Sequence, residues 1–436
     1  MIHYYELMGR YIVLDVGSGA VHELDRAAYE LLPQIVPPMT ENPPDDIISD
    51  EGREAWGELY ALQQEGLLFS EDWTPPPIPM YTPLKALCMH VSHDCNLRCG
   101  YCFAGTGDFG TGSRAIMSKA AAERAIDYLL KRCGNRINLE VDFFGGEPLM
   151  AMDTVRHTVE YARRAAPDRN FRFTLTTNGV LLDDEIIEYL NREMSNVVLS
   201  LDGRREVNDH MRRTTAGGGS YEHIVPLYKK LLETRSGDYY VRGTYTSRNT
   251  DFFEDIKAMA AEGFQNLSVE PVSLPPNHPL AITEAHLPAL FAEYEKLTEA
   301  MLGDPDFSFF HFSVDLEQGP CVYKRLRGCG AGYEYAAVTP EGDVYPCHQF
   351  VGKSDFKLGN VFEGSFDEKL SGRFKALDIF SRPACADCWA KFYCSGGCSA
   401  SNMTAGGSIE STDAVGCALE RKRLECAILL KVAEFS

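Results

Sequence analysis

Between residues 84 and 272, six short β-rich runs alternate with helical stretches: Leu84–Val91, Ile137–Phe144, Phe171–Thr176, Val197–Leu201, Tyr239–Tyr245 and Leu267–Val272. Strands separated by helices predict a parallel sheet, because parallel neighbours need a crossover long enough to hold a helix. A closed barrel takes eight such units, so six predict an α/β fold built as a partial (β/α)6 barrel, open on one side. Active-site groups then belong at the C-terminal ends of the strands, where the loops converge.

Both flanks read differently. Strands are predicted at Tyr4–Leu7, Tyr11–Asp15 and Ala20–Leu24, the last two joined by the Gly17-Ser18-Gly19 turn. Helices follow at Arg26–Ile35 and Glu51–Gln64, with Gly66 as the C-terminal stop of the second. Residues 1–73 therefore form a small winged-helix-like module. Residues 74–83, with Pro75, Pro76, Pro77, Pro79 and Pro83, form a stiff spacer. The barrel core occupies 84–304. In 305–436 the alternation dissolves into a Gly- and Cys-rich region with few strong helices before Ala418–Ala433. Such a region suits a fold organised around metal.

Charge narrows the function. The net charge of −21 argues against a nucleic-acid partner, whose phosphates need clustered Lys and Arg. Residues 1–73 hold fifteen acidic and three basic side chains, a net of −12. A solvated acidic surface and attraction of a basic peptide both account for that excess. The N-terminus lacks a basic stretch followed by an apolar run, and no apolar segment approaches the roughly 18 residues of a membrane span, so a cytoplasmic protein without a membrane partner is expected. In such a compartment thiols stay reduced, and the fourteen cysteines are expected to bind metal rather than form disulfides.

Cys95, Cys99 and Cys102 fall in one tight loop after the first barrel strand. Iron-sulfur cubes are mostly closed by four thiolates, so three leave one iron open to an exogenous ligand. A tetrahedral zinc loop is the alternative. A second, denser series comprises Cys329, Cys347, Cys385-x2-Cys388-x5-Cys394-x3-Cys398 and Cys417, for which a zinc ribbon at Cys385 and Cys388 is the alternative. Cys88, Cys133 and Cys426 read as buried apolar filler. His90, His93 and His348, beside the Cys loops, read as hydrogen-bonding neighbours rather than ligands.

The CxxxCxxC loop with Tyr101 before its last Cys resembles the signature of radical S-adenosylmethionine (SAM) enzymes. The resemblance implies a [4Fe-4S] cluster on Cys95, Cys99 and Cys102 whose open iron is chelated by SAM, with Tyr101 beside the adenine. Gly145-Gly146-Glu147-Pro148 resembles the family's GGEP motif, which engages the SAM ammonium, a pairing of opposite charges. Asn178, Ser200, Asp202 and Arg242 fall where the family places further polar contacts, although Asn178-Gly179 and Asp202-Gly203 are also ordinary turns and Arg242 could serve in a structural ion pair. The later cysteines resemble the SPASM domain of peptide-modifying relatives. Carried over, Cys385, Cys388, Cys394 and Cys417 hold a distal auxiliary [4Fe-4S] cluster, and Cys329, Cys347 and Cys398 a nearer one. Cys321 completes the nearer cluster, or leaves an iron open to a substrate thiolate. Three [4Fe-4S] clusters and SAM are thus expected.

The whole architecture resembles maturases of ribosomally made peptides, with residues 1–73 similar to a RiPP recognition element that takes a leader peptide as an added strand. The Phe103–Gly110 continuation looks most like maturases of six-cysteine (SCIFF) peptides, which form thioethers. The implied partners are a Cys-rich precursor peptide and an external electron donor. Two other functions compete: formylglycine formation by a sulfatase-maturase-like enzyme, which needs no separate leader-binding module, and a zinc-binding scaffold without chemistry.

Overall fold

The computed structural model describes residues 1–45, 47, 49–71, 82–303, 305–316 and 326–434. Cys321 and most of the proline-rich spacer lie outside them.

At the amino end, β1 (Ile2–Leu7), β2 (Arg10–Asp15) and β3 (Val21–Leu24) form an antiparallel sheet in that order. Period-two alternation sends successive residues to opposite faces. Val13 joins a small core with Ala28, Leu31, Trp56 and Leu59 of the module's own helices, whereas Ile12 and Leu14, with Tyr5 and Leu7, pack into the main core. One face therefore seals the module and the other docks it. Helix α1 (Arg26–Leu31) is capped by Asp25, whose carboxylate accepts from Ala28 N at 2.8 Å. It is shorter than expected: Pro33 cannot extend an α-helix, and Leu32–Gln34 form a 3-10 turn instead. Helix α2 (Asp50–Gln64) begins on the Ser49 cap and stops before Gly66, which takes φ +71° as a C-terminal glycine should.

The six expected strands are β4 (Ala86–Ser92), β6 (Asn138–Gly145), β7 (Asn170–Thr177), β8 (Asn196–Ser200), β10 (Asp238–Tyr245) and β11 (Asn266–Pro271), all parallel. Two three-residue strands, β5 (Leu97–Cys99) and β9 (Arg212–Thr214), pair with each other outside this sheet. The crossovers carry α3 (Lys119–Arg132), α4 (Met152–Ala165), α5 (Asp184–Glu193), α6 (Arg205–Met211), α7 (Tyr221–Glu233) and α8 (Phe252–Ala261). Leu139, Val141 and Phe143 on β6, and Phe173 and Leu175 on β7, are fully buried, while the alternate residues Asp142, Phe144, Thr174 and Thr176 are less buried and point to the other face of the sheet.

The sheet does not end where the alternation fades. After α9 (Leu287–Leu302), the two-residue β12 (Ser308–Phe309) adds beside β11, and β13 (Tyr335–Val338) adds in parallel beside β4, pairing Tyr335 with Ala86 and Ala337 with Cys88. Strands β14 (Asp343–Tyr345), β15 (Gly359–Asn360) and β16 (Ser365–Phe366) continue it antiparallel, ahead of α10 (Glu368–Lys375). Among the described residues, barrel and Cys-rich region thus share one eleven-stranded sheet. The C-terminal helix, expected from Ala418, begins at Ala414 on an Asp413 cap, runs to Ala433, and packs on α9. Among the described residues no helix is long and apolar enough to cross a membrane.

Candidate functional site

The loop after β4 is fixed by backbone pairing on two sides. Cys99 sits on β5 directly opposite Arg212 of β9, and Gly100 N donates to Met211 O at 2.9 Å. From the other side, Gly146 N donates to Ser92 O at 2.7 Å and Glu147 N to Asp94 O at 2.9 Å. This approach requires the two glycines: a Cβ on Gly145 would lie 2.2 Å from Ser92 O, and one on Gly146 2.2 Å from Asp94 O. Asp94 in turn accepts from Cys95 N at 2.8 Å and pairs with Arg114.

Three strand ends converge on this loop. Glu147, buried after β6, accepts from Leu149 N and the Thr177 hydroxyl on Oε1 and from Asn178 N on Oε2. Burial lifts its carboxyl to about 7 against these three donors. With one acceptor direction left on Oε2, it suits a cationic partner. Asn178 donates to Asn96 Oδ1 at 2.8 Å and reaches Cys95 Sγ at 3.7 Å. Asp202, fully buried after β8, receives the Tyr101 hydroxyl at 2.7 Å and Thr244 N at 3.0 Å, and forms an ion pair with the Arg212 guanidinium 3.0 Å away. Ser200 holds this strand end through its carbonyl, which accepts from the Tyr228 hydroxyl at 3.0 Å.

Arg212 escaped the sequence reading. It is buried, and its guanidinium lies 5.6 Å from the Tyr101 ring centroid. Burial works against its charge, but Asp202, Tyr101 and Cys99 together hold it well above the ordinary range. No local pattern marks it, because its partners lie on other loops. Arg242 stands opposite Ser200 in the β8–β10 register, and Leu201 N donates to its carbonyl at 3.0 Å. It pairs with Glu270 on the concave face, where His311 lies 3.5 Å from the same carboxylate and 3.2 Å from the Ser268 hydroxyl.

Electrostatic coupling links neighbouring cysteines in three groups. Burial pushes Cys95 up to about 11 and Cys99 up to about 12, and each feels the charge of Cys102. Cys347 is raised by burial and then by Cys398 and Cys329, and Cys394 is raised to about 12 by burial, with Glu420, Cys417 and Cys385 adding to it. Cys388 acts on both Cys385 and Cys417. Between the last two sets, Ser395, Gly396 and Gly397 take φ of 59°, 80° and 73°, a left-handed turn that sends Cys394 and Cys398 to different groups. Cys88, Cys133 and Cys426 are buried, as expected.

These surroundings fit an iron-sulfur cluster. Asn96 Nδ2, buried in the first loop without a partner, is a donor aimed at no protein acceptor. His90 and His93 contact one another at 3.2 Å, and burial keeps both imidazoles neutral; His348, lowered to about 4 by burial and Arg242, closes an aromatic wall with Phe103 and Phe144.

Comparison with known proteins agrees. Residues 89–262 match the radical SAM superfamily and residues 329–389 the SPASM iron-sulfur cluster-binding domain. The mycofactocin maturase MftC of Mycobacterium ulcerans is 29% identical over 344 residues, covering 75% of this chain and 86% of the relative. The structure of anSMEcpe with bound AdoMet superposes with TM-score 0.66 at 21% identity over 81% of this chain and 100% of that one. That of Streptococcus suis SuiB with S-adenosylmethionine does so with TM-score 0.57 at 18% identity over 95% and 98%. The chain therefore carries a radical SAM domain followed by a SPASM domain, and its cofactors are SAM and [4Fe-4S] clusters, three being typical of SPASM enzymes.

Proposed function

We propose that this enzyme forms thioether cross-links, Cys sulfur to carbon, in a ribosomally made Cys-rich peptide whose leader is held by residues 1–73. The observation that carries this reading is the seat of the amino-terminal module. Its sheet keeps two edge strands while Tyr5, Leu7, Ile12 and Leu14 anchor it to the main core, an arrangement suited to delivering an added strand to the barrel. The likeness to SuiB, a protein also seen bound to its precursor peptide SuiA, spans 95% of this chain and so takes in much of the module.

In this reading Cys95, Cys99 and Cys102 hold the SAM cluster, Glu147 Oε2 receives the SAM ammonium, and Tyr101 lies beside the adenine. Asn178, Ser200, Asp202 and Arg242 complete the polar surround. Cys385, Cys388, Cys394 and Cys417 form the distal auxiliary site, and Cys329, Cys347 and Cys398 the nearer one, with Cys321 as its fourth ligand. Bound here, the cofactors supply a 5′-deoxyadenosyl radical that takes hydrogen from an unactivated carbon, and an acceptor for the electron left over when sulfur joins that carbon. The protein's part is to hold SAM against water and to aim the peptide along the concave face.

Anaerobic incubation with SAM, reductant and a Cys-rich precursor peptide tests the reading by mass spectrometry. Loss of two hydrogens per linkage, with a new sulfur-to-carbon bond on fragmentation, is the expected result, and deleting residues 1–73 should spare SAM cleavage while suppressing linkage. Formylglycine in place of a linkage would assign the enzyme to the sulfatase-maturase chemistry, and zinc in place of iron would make it a scaffold.

A further inference from the structure

A cavity of about 450 Å³ opens where α3 faces the start of β13 and the β15–β16 hairpin. Clefts of this size hold small organic ligands. It lies at the amino ends of β4 and β13, which pair in parallel from Ala86 and Tyr335. The loop of Cys95, Cys99 and Cys102 follows the other end of β4, about 20 Å of strand away, so the cavity is a separate site.

Helix α3 lines it with Arg124, Tyr128, Lys131 and Arg132, whose spacing puts all four on one helical face. The Arg132 guanidinium is held by two rings, 3.8 Å from the Phe366 centroid and 5.1 Å from that of Tyr128. The acids nearby are loosely engaged. Glu368 is 3.8 Å from Arg132, and Asp127, the one acid in the lining, accepts from the Tyr161 hydroxyl at 2.8 Å and stands 4.0 Å from Arg124. Lys131 has no ion-pair partner among the described residues. Three cations against one carboxylate run counter to a chain of net charge −21. Tyr128 gives an independent sign of a ligand: it is only 7% exposed, yet its buried hydroxyl has no hydrogen-bond partner. Such a group is costly to leave unsatisfied, and an acceptor in the cavity would satisfy it.

We propose that this cavity binds a small organic phosphate ester, its phosphate oxygens meeting Arg124, Lys131, Arg132 and the Tyr128 hydroxyl and its carbon body lying against Leu84, Ala336 and Val361. A phosphate monoester carries close to two charges and three acceptor oxygens, which matches three cations and a hydroxyl better than the single charge of a carboxylate does. The apolar wall favours an ester over inorganic phosphate, which has no carbon surface to bury. Because α3 belongs to the barrel and β15–β16 to the Cys-rich region, the occupant braces one against the other.

The test titrates phenyl phosphate into the reconstituted full chain by calorimetry, with SAM saturating so that its own site is filled. One site per chain is expected, with a higher melting temperature when it is occupied. Tyr128→Phe, which removes only the hydroxyl, should weaken binding about tenfold, as loss of a hydrogen bond to a charged group does. Lys131→Met, a change at an exposed position, should weaken it too, while Lys229→Met with Lys230→Met on α7 should leave it unchanged. Benzoate and inorganic phosphate should each bind about tenfold more weakly than phenyl phosphate. Benzoate binding as tightly would overturn the choice of phosphate, and inorganic phosphate binding as tightly would overturn the ester. Absence of binding, or an affinity untouched by Tyr128→Phe and Lys131→Met, would overturn the site itself.

Discussion

The His3 imidazole lies face to face on the Trp389 indole, with ring centroids 3.8 Å apart and planes within 2°. His3 also meets Glu425 at 3.1 Å, and the Tyr5 hydroxyl donates to the Glu425 carbonyl at 2.9 Å. Trp389 directly follows Cys388, so the first strand of the amino-terminal module rests on the loop that carries Cys385 and Cys388.

Trp389→Ala should loosen this seat by about 1 kcal/mol, the worth of a stacked aromatic pair. Hydrogen exchange at the Ile2–Leu7 amides should quicken while iron content stays near wild type. A double-mutant cycle with His3→Ala should recover most of the loss as coupling. Additive effects of the two substitutions would mean that the stack contributes nothing to docking.

Arg212→Met removes the guanidinium that pairs with Asp202 and leaves the charge of a fully buried carboxylate uncompensated. Breaking a buried pair in this way costs about 3–5 kcal/mol. Because β9 also pairs with Cys99, iron content should fall together with thermal stability. Arg212→Lys should recover part of both. Wild-type stability in Arg212→Met would show that Asp202 is satisfied without it.

These two contacts also mark where sequence stops being informative. The six parallel strands were legible because each is at least five residues long and lies as a β-rich run between helical stretches, whereas Glu147 was singled out by the GGEP resemblance and Asn178 and Ser200 by their places at strand ends. Arg212 was not, since β9 is three residues long and its partner strand holds Cys99, far away in the chain. Nor was β13, whose four residues join β4 only through a pairing that spans most of the barrel. Strands this short carry no periodicity, and tertiary contacts alone select them.

Asp142 gives the fold a pH dependence of known sign. Burial, with the nearby Glu140 charge, lifts its carboxyl from 3.8 to about 7. Between those values the folded chain binds the proton that the unfolded chain has released, so this group's contribution to stability falls as pH rises from about 4 to about 7. Asp142→Asn should remove that loss. From pH 5 to pH 8 the wild type should lose on the order of 2 kcal/mol more than the variant in denaturant unfolding. Parallel stability profiles would place the proton elsewhere.

Gly145→Ala separates the backbone's role from that of Glu147. The added methyl would meet Ser92 O at 2.2 Å, and φ at Gly145 is +132°, a value alanine strongly resists. Strand β6 must then withdraw from the loop, breaking the bonds that tie Gly146 to Ser92 and Glu147 to Asp94. The expected cost is about 2–4 kcal/mol, with loss of SAM binding by calorimetry because Glu147 moves with its backbone. Glu147→Gln keeps that backbone and the two contacts on Oε1 but gives up the charge and the acceptor for Asn178 N, so it should weaken SAM binding at a smaller cost in melting temperature than Gly145→Ala. If both variants bound SAM as the wild type does, this strand end would have no part in holding the ammonium.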